Sequence, residues 1–147
     1  MIRYADTSAL VPLYLPERYS AAAMAAVSAV AAVPFTAFHR LELASVFASQ
    51  MGRGNITPSR WEAVRLLVVQ DQAAGRLRRV HLDWEPILES AAALAEVHTP
   101  QTLARSLDLL HLAAALRLGC RAFVSGDDRQ LAVARALGLT AIDIKQA

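Results

Sequence analysis

The sequence predicts an α/β domain: a mainly parallel sheet covered by helices on both faces. Two observations carry that prediction. Short apolar, strand-like runs alternate with helical segments along the whole chain, the order in which crossover helices join parallel strands. Apolar residues make up 55% of the sequence and charged residues only 19%, a balance that suits elements buried on more than one side. The 147 residues are enough for one ordinary domain with a real core, and nothing reads as a linker or repeat, so a single domain over 1–147 is expected.

Each element has its own signal. Ile2 to Ala5 reads as a buried strand, and Ser8 to Leu15 as a short helix stopped by Pro16. Ser20 to Ala32 is an Ala-rich helix, and Val33 to Thr36 a brief strand. Phe38 to Met51 is a strongly apolar helix ended by Gly52 and Gly54. Thr57-Pro58-Ser59-Arg60-Trp61-Glu62 carries an N-cap, a Pro at the first helical position and an early acid, opening a helix to about Ala74. Leu77 to Leu82 reads as a strand and Trp84 to His98 as a helix. Ser106 to Leu118 is a helix closed by Gly119. Arg121 to Ser125 is a strand, Asp128 to Leu137 a helix closed by Gly138, and Thr140 to Ile144 the last strand.

Several classes are disfavoured. No apolar run approaches the roughly 18 residues of a membrane helix, and the first residues lack the pattern of a signal peptide; a cytoplasmic protein with no membrane partner is the expectation. The single Cys120 can form neither an internal disulfide nor a thiol metal site and reads as a small buried hydrophobe. The net charge is only +2, yet fourteen of the fifteen cations are Arg, Lys145 being the exception. Arginine suits forked phosphate contacts, and it equally follows from GC-rich coding. The balance permits a nucleic-acid partner without requiring one.

Four acids stand out. Asp6 and Asp127 follow predicted strands, where ligands collect in parallel sheets. Glu42 and Asp108 sit on helices that are apolar on nearly every side, where a carboxylate must be partnered, protonated or bound to a cation. Each has a local explanation. Asp6 could cap the next helix, Asp108 could complement a helix N-terminus, Glu42 could pair with His39 or Arg40, and Asp127 or Asp128 could be a turn residue and N-cap. Four such acids on four elements are costly unless they converge. Converging carboxylates call for a hard divalent cation, Mg²⁺ or Mn²⁺, whose usual work is phosphoryl transfer through activated water.

The same residues carry a family resemblance. YADTSALVPLY resembles the opening of the PIN-domain nucleases, specifically the VapC-type toxins of bacterial toxin–antitoxin pairs, in which a strand ends in Asp followed by Thr or Ser. LELASVFA resembles their second block, SLDLLHLAAALRLGC their third, and FVSGDDRQLAVARALGL their fourth, with Ser125 where Thr is usual. The blocks occur in order over almost the entire chain. The resemblance implies a PIN-like three-layer α/β/α domain and a Mg²⁺- or Mn²⁺-dependent endoribonuclease, the toxin of a type II toxin–antitoxin pair. It implies that water, polarised by the metal, attacks an RNA phosphodiester to leave a 5′-phosphate and a 3′-hydroxyl. By position the catalytic acids are Asp6, Glu42, Asp108 and Asp127, with Asp6 and Asp108 as direct metal ligands and Glu42 and Asp127 completing the shell or orienting water. Thr7 and Ser8 would hold Asp6 or touch the phosphate, with Ser125 in support. The Thr-x-Asp spacing selects Asp127 over Asp128. A homodimer and a cognate antitoxin that blocks the acidic site are the implied partners, beside the RNA itself.

Two other readings compete. A PIN-like module could bind RNA or a protein partner without cutting. A phosphatase could use Asp6 as a covalent nucleophile, although the second Asp expected two residues on is replaced by Ser8. His111, near Asp108, reads as a packed helix residue or as a general acid or base; His39, His81 and His98 share no metal-ligand spacing. Arg76, Arg78 and Arg79 form the densest basic run, either a solvated edge or an RNA-backbone contact. Tyr14, Tyr19, Trp61 and Trp84 are the aromatics available for base stacking, with core packing the alternative for both Trp residues.

Overall fold

A computed structural model describes residues 2–146. Within them five strands and seven helices alternate: β1 (Arg3–Ala5), α1 (Thr7–Tyr14), α2 (Ser20–Ser28), β2 (Val33–Phe35), α3 (Ala37–Gly52), α4 (Pro58–Ala73), β3 (Leu77–Arg79), α5 (Trp84–Thr102), α6 (Ser106–Arg117), β4 (Ala122–Ser125), α7 (Asp128–Ala136) and β5 (Thr140–Asp143). Every pairing is parallel. β4 lies between β1 and β5, and β2 pairs with β3 in a separate two-stranded ladder.

The alternation of strand side chains sorts the core into two halves. Tyr4 and Phe123 point to one face and pack with Ile87 and Ala91 of α5, Leu109 and Leu112 of α6, and Val133 of α7. Ala5 and Val124 point to the other and pack with Leu10 of α1, Ala23 of α2, Phe47 of α3 and Val64 of α4. The result is the three-layer α/β/α architecture expected from the alternating pattern. The central strands are apolar on both faces because helices cover both.

Some boundaries differ from the sequence expectation. The Ala-rich helix ends at Ser28 rather than Ala32, because the chain must turn through Ala29–Ala32 to enter β2 at Val33. The strand expected over Leu77 to Leu82 is paired only to Arg79, since its partner β2 is three residues long. α5 runs to Thr102, past His98 and through Pro100. It stops at Leu103, whose left-handed backbone (φ 59°) turns the chain toward α6. A non-glycine residue pays about 1–2 kcal/mol for that conformation.

Candidate functional site

The site begins with register. Ala5 pairs with Val124, so the next residue of each strand, Asp6 and Ser125, meet at the carboxyl edge of the sheet. The Asp6 amide donates to the Val124 carbonyl (3.0 Å), and the Ser125 hydroxyl lies 3.2 Å from Asp6 Oδ2. Asp6 leaves the strand in an extended conformation and becomes the N-cap of α1, Oδ1 accepting from the Ala9 amide (3.1 Å). Ser8 Oγ donates to the same carboxylate, at 2.8 and 3.0 Å from its two oxygens, and accepts from the Gly126 amide (2.9 Å). Asp6 is only 5% exposed, and no Lys or Arg forms an ion pair with it among the described residues. Burial pushes its pKa up to about 6, against the opposing pull of nearby His111 and the hydrogen bonds from Ser8, Ala9 and Ser125.

The hydroxyls differ in their work. The helix cap is Asp6 itself, whose carboxylate takes the Ala9 amide. Ser8 hydrogen-bonds the Asp6 carboxylate. Thr7 Oγ1 instead donates to Glu42 Oε1 (2.6 Å). Glu42 stands on α3, half-buried, and its partners are Thr7 and His111, not His39 or Arg40. Burial raises its pKa, but the hydrogen bonds from His111 and Thr7 outweigh that and hold it below the ordinary value.

Asp127 sits two residues beyond Ser125 and caps α7: Oδ1 accepts from the amides of Arg129 (2.8 Å) and Gln130 (3.1 Å). Its own amide donates to Ser125 Oγ (2.9 Å). Partial burial raises its pKa, but those amides and the Arg129 side chain bring the net shift below the usual carboxylate range. Asp128 is the first residue of α7, exposed and bonded to Lys145 (2.6 Å). Asp108 lies in the first turn of α6, where its Oδ2 accepts from the Arg105 amide (2.8 Å).

Gln130, which the sequence did not single out, ties these parts together. It is 1% exposed; Oε1 lies 2.9 Å from Ser125 Oγ and shares its single hydroxyl hydrogen with Asp6 Oδ2, and Nε2 donates to the Asp108 carbonyl (2.9 Å). A chain of bonds thus runs from Asp6 through Ser125 and Gln130 to the backbone of Asp108. His39 is a second residue given no role from sequence. Its Nδ1 accepts from the Thr36 amide (3.1 Å), which leaves Nε2–H to donate to the Ala5 carbonyl (2.9 Å). That bond anchors the strand end that carries Asp6. Burial and the neighbouring His111 press the His39 pKa down to about 3, so it serves as a neutral donor.

The fold therefore places the four acids on elements linked by hydrogen bonds around Asp6. Among the described residues no three His, Cys, Asp or Glu side chains are already grouped to hold one ion. The donor chemistry nevertheless suits a hard divalent cation: oxygen ligands, no thiol, and in Asp6 a buried carboxylate with no cationic side chain in an ion pair. The groove beside Asp127, about 270 Å³, is lined by Ser8, Glu17, Tyr19, Gly126, Ile144 and Lys145. Tyr19 carries the Arg18 guanidinium over its ring, 4.6 Å from the centroid. Tyr14, by contrast, is buried with its hydroxyl on Asp71 (2.7 Å) and is not free to stack on a base. Arg76 is engaged with the same Asp71, while Arg78 and Arg79 are exposed on β3.

Comparison with known proteins gives matches of two kinds. The model of the PIN domain family matches residues 3–136. The fold is similar to that of FitAcB from Neisseria gonorrhoeae, with a TM-score of 0.70 over 100% of both chains at 14% identity. That likeness extends to the fold. No curated protein matches the sequence.

Proposed function

The chain belongs to the PIN domain family, and from that premise we propose that it is a Mg²⁺- or Mn²⁺-dependent endoribonuclease, the VapC-type toxin of a type II toxin–antitoxin pair. One observation carries the reading: the Asp6 carboxylate is buried at the carboxyl end of β1, held by two hydroxyls and an amide, and lacks a Lys or Arg partner among the described residues. A cap alone does not require so much burial. Asp6 and Asp108 would hold the metal, with Glu42 and Asp127 completing its surroundings directly or through water.

When bound, the divalent ion supplies a polarised water and neutralises charge on the phosphate. The chain's own residues do the rest. Ser8 and Ser125 fix the Asp6 carboxylate, whose pKa near 6 leaves it ionised at neutral pH. Thr7 and His111 both bond Glu42 Oε1, leaving Oε2 without a protein hydrogen bond among the described residues and able to accept from the attacking water. Water attack on phosphorus breaks the bond to the 3′ oxygen, which takes up a proton; the products are a 5′-phosphate and a 3′-hydroxyl. No described helix is long and apolar enough to cross a membrane, and action on cytoplasmic RNA follows from the toxin reading. Exposed apolar side chains such as Leu41, Leu66 and Val69 are compatible with the implied antitoxin and second copy.

The test is incubation of purified protein with structured and single-stranded RNAs, with Mg²⁺, Mn²⁺ or EDTA. Cleavage only with the metals, and growth arrest on expression that Asp6→Asn relieves, is the expected result. Retained RNA binding with no metal-dependent cleavage of any RNA would instead establish a binding module.

A further inference from the structure

From sequence His111 reads as a packed helix residue or as a general acid or base, and its contacts ask for more than packing. It lies on α6, three residues past Asp108, and is 3% exposed. Nε2 meets Glu42 Oε1, and Nδ1 meets the Tyr4 hydroxyl (2.8 Å). Thr7 Oγ1 is 3.4 Å from the same Nε2. The partners assign the protons. Glu42, ionised, can only accept, so Nε2 carries the hydrogen. Thr7 donates to Glu42, so its remaining lone pairs also face that N–H. Tyr4 is itself fully buried, and burial raises the pKa of its hydroxyl well above the ordinary phenol value, so it remains a neutral O–H able to donate to Nδ1. The imidazole is locked in place by aromatic neighbours: Phe38 at 4.4 Å between centroids, His39 at 5.0 Å and Tyr4 at 5.7 Å.

We propose that His111 is a positioning residue for the acidic site: its Nε2–H fixes the Glu42 carboxylate, and the Tyr4 hydroxyl selects the tautomer in which it can do so. The inference rests on the nuclease reading for its kinetic consequence and on geometry alone for the bond itself. A carboxylate on a long side chain, half-exposed, otherwise samples several rotamers. Two donors converging on Oε1 remove that freedom and turn the other oxygen outward from the pair. The arrangement repeats a general pattern in which an outer partner orients a working carboxylate or imidazole, and loss of such a partner costs about 10–100-fold in activity.

The experiment has a spectroscopic and a kinetic arm. Protein labelled with ¹⁵N at histidine, held metal-free in EDTA, should show by two-bond ¹H–¹⁵N correlation a His111 ring protonated at Nε2 and accepting at Nδ1. Substituting Tyr4→Phe should shift the Nδ1 resonance, and Glu42→Gln should move the Nε2–H. In RNA cleavage, His111→Leu should lower kcat roughly 10–100-fold with KM within about twofold. His111→Gln, whose amide nitrogen reaches a similar position, should restore most of the loss. Melting curves check that each variant is folded at the assay temperature. A ring protonated at Nδ1, or His111→Leu cleaving at the wild-type kcat, overturns the proposal. Should wild-type protein cut no RNA at all, the nuclease reading fails by itself, and the spectra still decide whether His111 holds Glu42.

Discussion

Asp6 and Asp127 occupy equivalent places and live in opposite surroundings. Each follows the carboxyl end of one of two neighbouring parallel strands, and each caps the helix that begins there. Asp127 accepts two backbone amides and faces the Arg129 guanidinium, and remains partly exposed. Asp6 accepts one amide, is 5% exposed, and has hydroxyls in place of a cation. The pKa shifts have opposite signs: down for Asp127, where backbone and Arg129 hydrogen bonds outweigh burial, and up to about 6 for Asp6, where burial outweighs everything else. A cap explains Asp127. It does not explain Asp6, which the fold holds in a place where its charge is costly.

The largest expected effect breaks this comparison at its functional end. Asp6→Asn preserves shape and capping ability, since Asn caps as well as Asp, but removes the charge. Metal-dependent RNA cleavage should fall by about 10²–10³-fold or more, the scale of removing one preorganised electrostatic group. Quantified cleavage of one RNA by both proteins at equal concentration checks it. Activity within a few-fold of wild type would mean that the buried carboxylate is not the centre of the site.

The same substitution should stabilise the metal-free protein. A shift from 3.8 to about 6 corresponds to roughly 3 kcal/mol of disfavoured ionisation, at about 1.4 kcal/mol per pKa unit. The sign follows from proton counts. Between pH 4 and 6 the folded state holds a proton at Asp6 that the unfolded state has lost, so this contribution to stability falls as pH rises through that window and stays low above it. In EDTA at pH 7, Asp6→Asn should gain on the order of 2 kcal/mol by urea denaturation, and the gain should shrink toward pH 4. A loss of stability at pH 7 would show that the carboxylate is satisfied after all.

The contrast between the two acids also marks what could be read from sequence. The strand ends, the helix order and the four acids were legible because each rests on a local pattern: an apolar run stopped by Asp6, or an acid such as Glu42 or Asp108 amid apolar helix residues. The extents of β3 and the Ala-rich α2 were not, because strand length is set by the partner strand, and Ala, the best helix former, carries no stop signal of its own. Glu42's pairing with His111 spans 69 positions, and Tyr4's with His111 spans 107. No local spacing encodes such bonds. Gln130 left a faint trace as the one uncharged polar residue in RQLAVARALGL, yet its role needs Ser125 and Asp108 brought to it by two other elements, β4 and α6.

A smaller effect sharpens the Asp127 side. Asp127→Ala removes the acceptor for the Arg129 and Gln130 amides, and should cost about 1 kcal/mol, within the usual range for an N-cap. Asp127→Asn should restore most of that at neutral pH. The pH dependence should run opposite to that of Asp6: the carboxylate's contribution is present above the unfolded pKa and is lost as pH falls through the lowered folded value. Denaturant melts of the three proteins at pH 7 and pH 3 separate the two acids, since only one should lose ground on acidification.

The smallest effect belongs to Asp128, and its smallness is the point. Sequence alone leaves Asp127 and Asp128 as neighbouring candidates for one role, divided only by the spacing from Ser125. Asp128 is largely exposed and bonds the Lys145 ammonium at the surface. Exposed pairs contribute little after solvent screening and side-chain entropy, typically under 1 kcal/mol. Asp128→Asn should therefore change stability by less than about 0.5 kcal/mol and leave RNA cleavage near the wild-type rate, while Asp127→Asn lowers cleavage. If Asp128→Asn were the more damaging of the two, the acid serving the site would be the one facing Lys145, and the correspondence between Asp6 and Asp127 at adjacent strand ends would be only a likeness of caps.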